Sequence, residues 1–153
     1  MKNKTFNEFR QVPPDLIGSK VLYAHPDGYF LNARRQKIKH DFCPAMQRGD
    51  GGSKYPKMRS YGNKLCHHLM YETFYSTRTK GMEIDHINGD KLDYSVTNLE
   101  EVTPAENRRR AKYIRVMRDC SFDPRIFTAD DFHHWFSLPF EEFKSFFEHY
   151  KDD

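Results

Sequence analysis

Apolar residues along this chain occur first in short alternating runs and later at helical spacing. Between Lys20 and Ser60, the triplets Val21-Leu22-Tyr23, Tyr29-Phe30-Leu31, Lys37-Ile38-Lys39 and Lys57-Met58-Arg59 are parted by turn formers such as Pro26-Asp27-Gly28. Runs of that kind predict a small antiparallel sheet. Arg48 to Ser53, with Gly51-Gly52, reads as a flexible connection flanked by enough Lys and Arg to touch phosphate. Leu65, His68, Leu69, Glu72 and Phe74 predict a helix from about Lys64 to Tyr75, closed by the polar run Ser76 to Gly81.

A strand at Met82 to Ile87 follows, then a loop from Asn88 to Asn98, a second strand at Leu99 to Val102 and a helix from Pro104 to about Arg118. Thr103 can cap that helix, Pro104 sits where its missing N–H costs nothing, and Glu106 completes a Thr-x-x-Glu capping box. Asn88-Gly89 could form a tight hairpin turn, but Asp90 to Ser95 make a poor returning strand, so a longer loop is expected. In the tail, Thr128 with Asp131 can start one short helix, and Phe140, Phe143, Phe147 and Tyr150 recur at helical spacing in a second. An aromatic stripe of this kind is a packing face. It must dock on the body or on a second copy, which makes a homodimer through this helix one of two outcomes.

Length and charge narrow the picture. At 153 residues the chain is too short for two large domains, while 13 Phe, 9 Tyr and 1 Trp are enough to build a core. No apolar run approaches the ~18 residues of a membrane span, and Met1 to Asp15 lacks a signal-peptide core, so a cytoplasmic protein with no membrane partner is expected. Cys43, Cys66 and Cys120 are odd in number and widely spaced, which argues against a disulfide framework. A zinc site patched from His40, Cys43, Cys66 and His67 matches no common ligand spacing, and no structural zinc is expected. The net charge of +3 hides a split. From Ser121 onward eight acidic residues face three basic ones, a net of −5, so residues 1–120 carry +8 and suit a polyanion.

The residues with most chemical potential are Asp85-His86 at the end of the first strand, Asn98 just before the second, and Asn107 in the first helical turn. On a helical wheel, Asn107 falls with Ala111 and Ile114 on the side that should face the strands, opposite Arg108, Arg109, Lys112 and Arg115. A polar amide aimed inward needs a partner. A divalent ion held jointly by Asp85 and Asn107 would supply it, and hard oxygen donors favour magnesium or manganese. His86 beside it is a competent base near neutral pH. Adjacent strand residues point to opposite faces, so the pair can share a site only if the strand ends there and the backbone turns, which Gly89 makes easier.

Three blocks, Cys66-His67-His68-Leu69-Met70-Tyr71-Glu72-Thr73-Phe74, Glu83-Ile84-Asp85-His86-Ile87-Asn88-Gly89-Asp90-Lys91 and Thr97-Asn98-Leu99-Glu100-Glu101-Val102-Thr103-Pro104-Ala105-Glu106-Asn107, resemble the HNH endonucleases of phages, mobile introns and bacterial genomes. The resemblance is strong over roughly residues 65–111 and weaker over the preceding strands. It implies a ββα-metal core at 64–118 and, more weakly, a small β-rich region contacting DNA at 20–63; with the residue pattern this predicts an α+β protein with an amino-terminal arm at 1–19 and an acidic aromatic helical tail at 119–153.

By motif position, the resemblance makes His86 the general base, Asp85 and Asn107 the ligands of one Mg2+ or Mn2+, and Asn98 the residue that braces the loop and orients His86. Lys91 matches a basic loop position and His67 the His that opens the preceding helix. The implied reaction is in-line hydrolysis of a DNA phosphodiester, leaving 5′-phosphate and 3′-hydroxyl ends. Arg78, Lys80, Lys91, Arg108, Arg109, Lys112 and Arg115 are the candidates for holding phosphate. Homing enzymes of this type often end in a basic DNA reader, whereas this chain closes on an acidic tail. Sequence preference would then come from Arg34, Arg35, Lys37, Lys39, Lys57 and Arg59 in a groove, or from dimerisation. Two other readings share these residues: a catalytically silent DNA-binding or assembly protein, and a restriction- or packaging-associated nuclease.

Overall fold

The computed structural model describes residues 9–41 and 55–151, so the expected connection at Arg48 to Ser53, and Cys43, lie outside the described residues. The fold is α+β, in two compact units: residues up to Thr79 together with Lys91–Leu99, and Lys80–Asp90 together with the chain from Glu100 on.

In the first unit, strands β1 (Arg10–Gln11), β2 (Leu22–His25), β3 (Tyr29–Asn32) and β4 (Lys37–Ile38) form an antiparallel sheet in chain order. Register is set by the turn at Pro26 to Gly28, which places His25 opposite Tyr29 and Leu22 opposite Asn32. The strands alternate as half-buried antiparallel strands do, with Leu22, Ala24 and Phe30 inward. Helix α1 (Pro14–Ile17) is a single turn led by proline. Both β1 and α1 are too short to leave a periodic signal in the sequence.

The expected fourth strand of this sheet goes elsewhere. Lys57–Met58 (β5) pairs instead with Lys64–Leu65 (β6), with Lys57 opposite Leu65. Lys57 is also only 8% exposed, which removes it from the groove-reading set. Helix α2 (Cys66–Phe74) follows, burying Cys66, His67, Leu69, Met70 and Phe74. The 91–98 loop belongs to this unit: Val96 N donates to Pro26 O at 2.9 Å, and Tyr75 Oη to Val96 O at 2.8 Å. A Cβ at Gly28 (φ +95°) would stand 2.8 Å from Ser95 N, so only glycine admits this approach.

The second unit contains strands β7 (Glu83–His86) and β8 (Leu99–Val102), which pair, followed by helix α3 (Pro104–Asp119). Thr103 caps α3 by accepting from Glu106 N, but the Glu106 carboxylate turns to Arg109 and Arg110, so the expected capping box is only half formed. The buried stripe of α3 is Arg110, Tyr113, Ile114 and Met117. Ala111, expected on it, is exposed. The stripe is rotated because the tail also packs on α3 and draws Tyr113 and Met117 inward.

Helices α4 (Ala129–Ser137) and α5 (Phe140–Tyr150) form that tail. Thr128 and Asp131 make a full capping box at α4. Phe132, Phe136, Phe143 and Phe147 are buried with Ile87, Tyr113, Ile114 and Met117 in one core, each ring contributing roughly 1.5–3 kcal/mol by leaving water. Tyr113 sits at its centre, edge-on to Phe136 and Phe140, while its hydroxyl donates to Leu138 O at 2.7 Å. The aromatic stripe is therefore covered by its own chain, and the ground for a homodimer through this helix falls away. Tyr150, expected on the stripe, is 49% exposed. No helix of the described residues is long and apolar enough to cross a membrane.

Candidate active site

Strand β7 alternates with period two: Ile84 and His86 are buried, while Glu83 and Asp85 are more open and bond to α3. Asn107 Nδ2 donates to Glu83 Oε2 at 2.5 Å. A carboxylate can only accept, so the amide nitrogen must face Glu83 and the Asn107 oxygen is left out of that bond. One turn further along α3, the Arg110 guanidinium lies 3.2 Å from Asp85 Oδ2.

The strand ends at His86, and the backbone turns at once: Gly89 N donates to His86 O at 2.7 Å, with Gly89 at φ +73°. A Cβ on Gly89 would lie 2.8 Å from Ile114 Cγ2, so the turn is pressed against α3. The strand thus ends at His86, where the expected backbone turn follows, while within β7 Asp85 and His86 still alternate. Asn88 Oδ1 accepts from Asp90 N at 2.9 Å, an Asx turn that fixes the start of the loop.

Asp85 is a half-buried carboxylate. Burial pushes its pKa up to about 6, against the pull of Arg110, and Glu100 and Glu106 nearby push the same way. Glu106 is the reverse case, held down to about 2 by hydrogen bonds from Arg109 and then Arg110. Arg110 is the hub of this charge network. Only 8% exposed, it reaches Asp85, Glu100 Oε2 at 3.1 Å and Glu106 Oε1 at 3.0 Å, with its Cζ 4.9 Å from the centre of the Phe136 ring. Glu100 Oε2 also meets His133 Nε2 of α4 at 2.6 Å.

Asn98 lies in the first unit, closing a short 3-10 turn at Val96–Asn98, where its amide donates to Asp93 O at 2.8 Å. Asp93 Oδ1 in turn accepts from Ser95 N and Ser95 Oγ. The residue braces its loop by hydrogen bonding.

Among the basic candidates, Arg108, Lys112 and Arg115 are exposed on α3, and Lys80 is exposed before β7. Arg78 pairs loosely with Glu72 at 3.6 Å, and Lys91 Nζ lies 4.5 Å from the Tyr55 ring centre. Arg109 is engaged within the protein: its guanidinium takes both Glu106 oxygens, Tyr113 Oη and Phe136 O. In the first unit, Cys66 and Tyr94 share a hydrogen bond, and burial pushes the Cys66 thiol up to about 12.

The decisive observation joins this geometry to the sequence of blocks. Residues 64–109 match the HNH endonuclease family. The matched segment holds Asp85, His86, Asn98 and Asn107. A Bacillus subtilis (strain 168) protein named "SPbeta prophage-derived putative HNH homing endonuclease YosQ" is 42% identical over 66 residues, which is 43% of this chain and 38% of that protein. No solved structure matches. Arg110, just past the matched segment, is the residue that the sequence pattern did not single out. A cation three, four and seven residues before Tyr113, Ile114 and Met117 stands on the apolar stripe, and that placement is the signal of a buried charge.

Proposed function

We propose that this protein is a metal-dependent HNH endonuclease that hydrolyses DNA phosphodiester bonds to 5′-phosphate and 3′-hydroxyl ends, in a phage or mobile-element setting. The observation that carries the reading is the end of β7 at Asp85-His86, with Glu83 and Asp85 both bonded to α3 and Asn107 tied to Glu83 there.

The donor set suits a hard divalent ion. Asp85 and Asn107 provide one carboxylate and one amide oxygen, the types that magnesium and manganese prefer, and such ions complete their shell with water and phosphate oxygens. Among the described residues no group of three or more His, Cys, Asp or Glu is placed to hold a metal. Such an ion, when bound, supplies Lewis-acid stabilisation of the charge that builds on the scissile phosphate.

The chain's own residues do the rest. His86 accepts the proton of the attacking water. The turn from His86 to Gly89 fixes where that imidazole stands. Glu83 orients Asn107. Asn98 holds the 93–98 turn. Arg108, Lys112 and Arg115, exposed along α3, with Arg78, Lys80 and Lys91, neutralise backbone phosphates and add salt-dependent affinity without reading sequence.

The test of this chemistry is the product. Plasmid nicked in Mg2+ or Mn2+ should be resealed by a DNA ligase, which requires a 5′-phosphate and a 3′-hydroxyl. Nicking that persists in EDTA, or nicks that no ligase reseals until their ends are repaired, would refute it.

A further inference from the structure

Arg110 lies outside the matched segment, yet it is the buried cation in direct contact with Asp85. Its fork is held from three sides. Glu100 takes Nη1 at 3.1 Å and Nη2 at 3.4 Å, and Glu106 takes Nε at 3.0 Å. The Phe136 ring of α4 covers its face at 4.9 Å, and His133, also on α4, clasps Glu100. A guanidinium fixed at every donor edge cannot swing, so the Nη1 that meets Asp85 is a fixed point.

We propose that Arg110 is a positioning residue: it fixes the rotamer of Asp85 for its ligand role, and helix α4 of the tail, through Phe136 and Glu100-bound His133, holds Arg110 in place. The tail is thereby part of the nuclease unit. The inference rests on the endonuclease reading for the meaning of Asp85, but its geometry is independent of turnover. Partners that orient a metal ligand from behind are worth about 10–100-fold in metal affinity or rate when removed.

The experiment is Mn2+ titration of the DNA-free protein followed by water-proton relaxation, with wild type, Arg110→Lys and Glu100→Gln side by side. Lys keeps the charge but cannot make the fork. Glu100→Gln keeps the shape, leaves Arg110 itself intact and loosens its anchor. Thermal melts, DNA affinity in a His86→Ala background, and the split between kcat and KM are read on the same proteins. The expected result is a melt and a DNA affinity near wild type, with Mn2+ binding weakened about tenfold in Arg110→Lys and a smaller loss in Glu100→Gln, and the decrease appearing in kcat rather than KM. Unchanged Mn2+ binding in a folded Arg110→Lys overturns the proposal. If that variant does not fold, unchanged Mn2+ binding in Glu100→Gln overturns it. A wild type that binds Mn2+ but cuts no DNA would count against the endonuclease reading alone, and the comparison of Mn2+ affinities would still decide the role of Arg110. A wild type that binds no Mn2+ overturns both.

Discussion

Asn107 Nδ2 donates to Glu83 Oε2 at 2.5 Å, tying the first turn of α3 to the first residue of β7. The bond is exposed, so its worth to stability is small. Its worth to the site is orientation. Glu83→Ala should lower cleavage about tenfold while leaving the melting temperature unchanged, and Glu83→Gln, which still offers an acceptor oxygen, should restore most of the rate. Initial rates of plasmid nicking for the two variants check this.

Gly89 adopts φ +73°, and a Cβ there would come within 2.8 Å of Ile114 Cγ2. Gly89→Ala combines backbone strain with a steric push against α3. Urea denaturation should show a loss of about 1–3 kcal/mol. Because the same turn sets the end of β7, the folded variant should also cut DNA far more slowly than its stability loss explains.

Arg108, Lys112 and Arg115 line the exposed side of α3. Replacing all three by Gln should weaken DNA binding for every sequence alike. The slope of log affinity against log salt should become shallower by about 2–3, since each phosphate contact contributes roughly 0.9. Fluorescence anisotropy over a salt series measures it. An unchanged slope would place the DNA elsewhere.

His68, on α2, is pushed down to about 4 by burial, with Arg78 and Lys64 adding like charge. Between 6.5 and that value the unfolded chain binds a proton that the folded chain refuses. Stability contributed by the neutral ring is complete above 6.5 and falls as pH drops through that window. Urea melts of wild type and His68→Gln at about pH 7 and about pH 4 should show a steeper acid loss in the wild type.

Much of the second unit is legible in the sequence because local chemistry decides it. Thr103-Pro104 marks the start of α3, and Thr128 with Asp131 marks α4, where cap and position agree with the fold. The strand end at His86 is likewise written in Asp85-His86 and Gly89. What the sequence does not disclose depends on partners far along the chain. The face of α3 follows from packing on Phe136, Phe143 and Phe147, not from its own periodicity, so Ala111 turns out and Arg110 turns in. Lys57 reads as an alternating strand residue, but its ladder partner is Leu65 in a second, separate sheet. For the same reason the aromatic stripe of α5 can be recognised as a packing face while its occupant, the chain's own α3, cannot.

The proposed nuclease site around Asp85, His86 and Asn107 should cut DNA. The most direct measurement is conversion of supercoiled plasmid to nicked circles by wild type and His86→Ala at matched concentrations, in Mg2+, Mn2+ and EDTA, with DNA binding measured on both. Metal-dependent nicking by the wild type is expected, with loss of at least about a thousandfold in His86→Ala and DNA affinity within about twofold between them. Equal cleavage by the two proteins, or DNA binding with no cleavage in any metal, would contradict it.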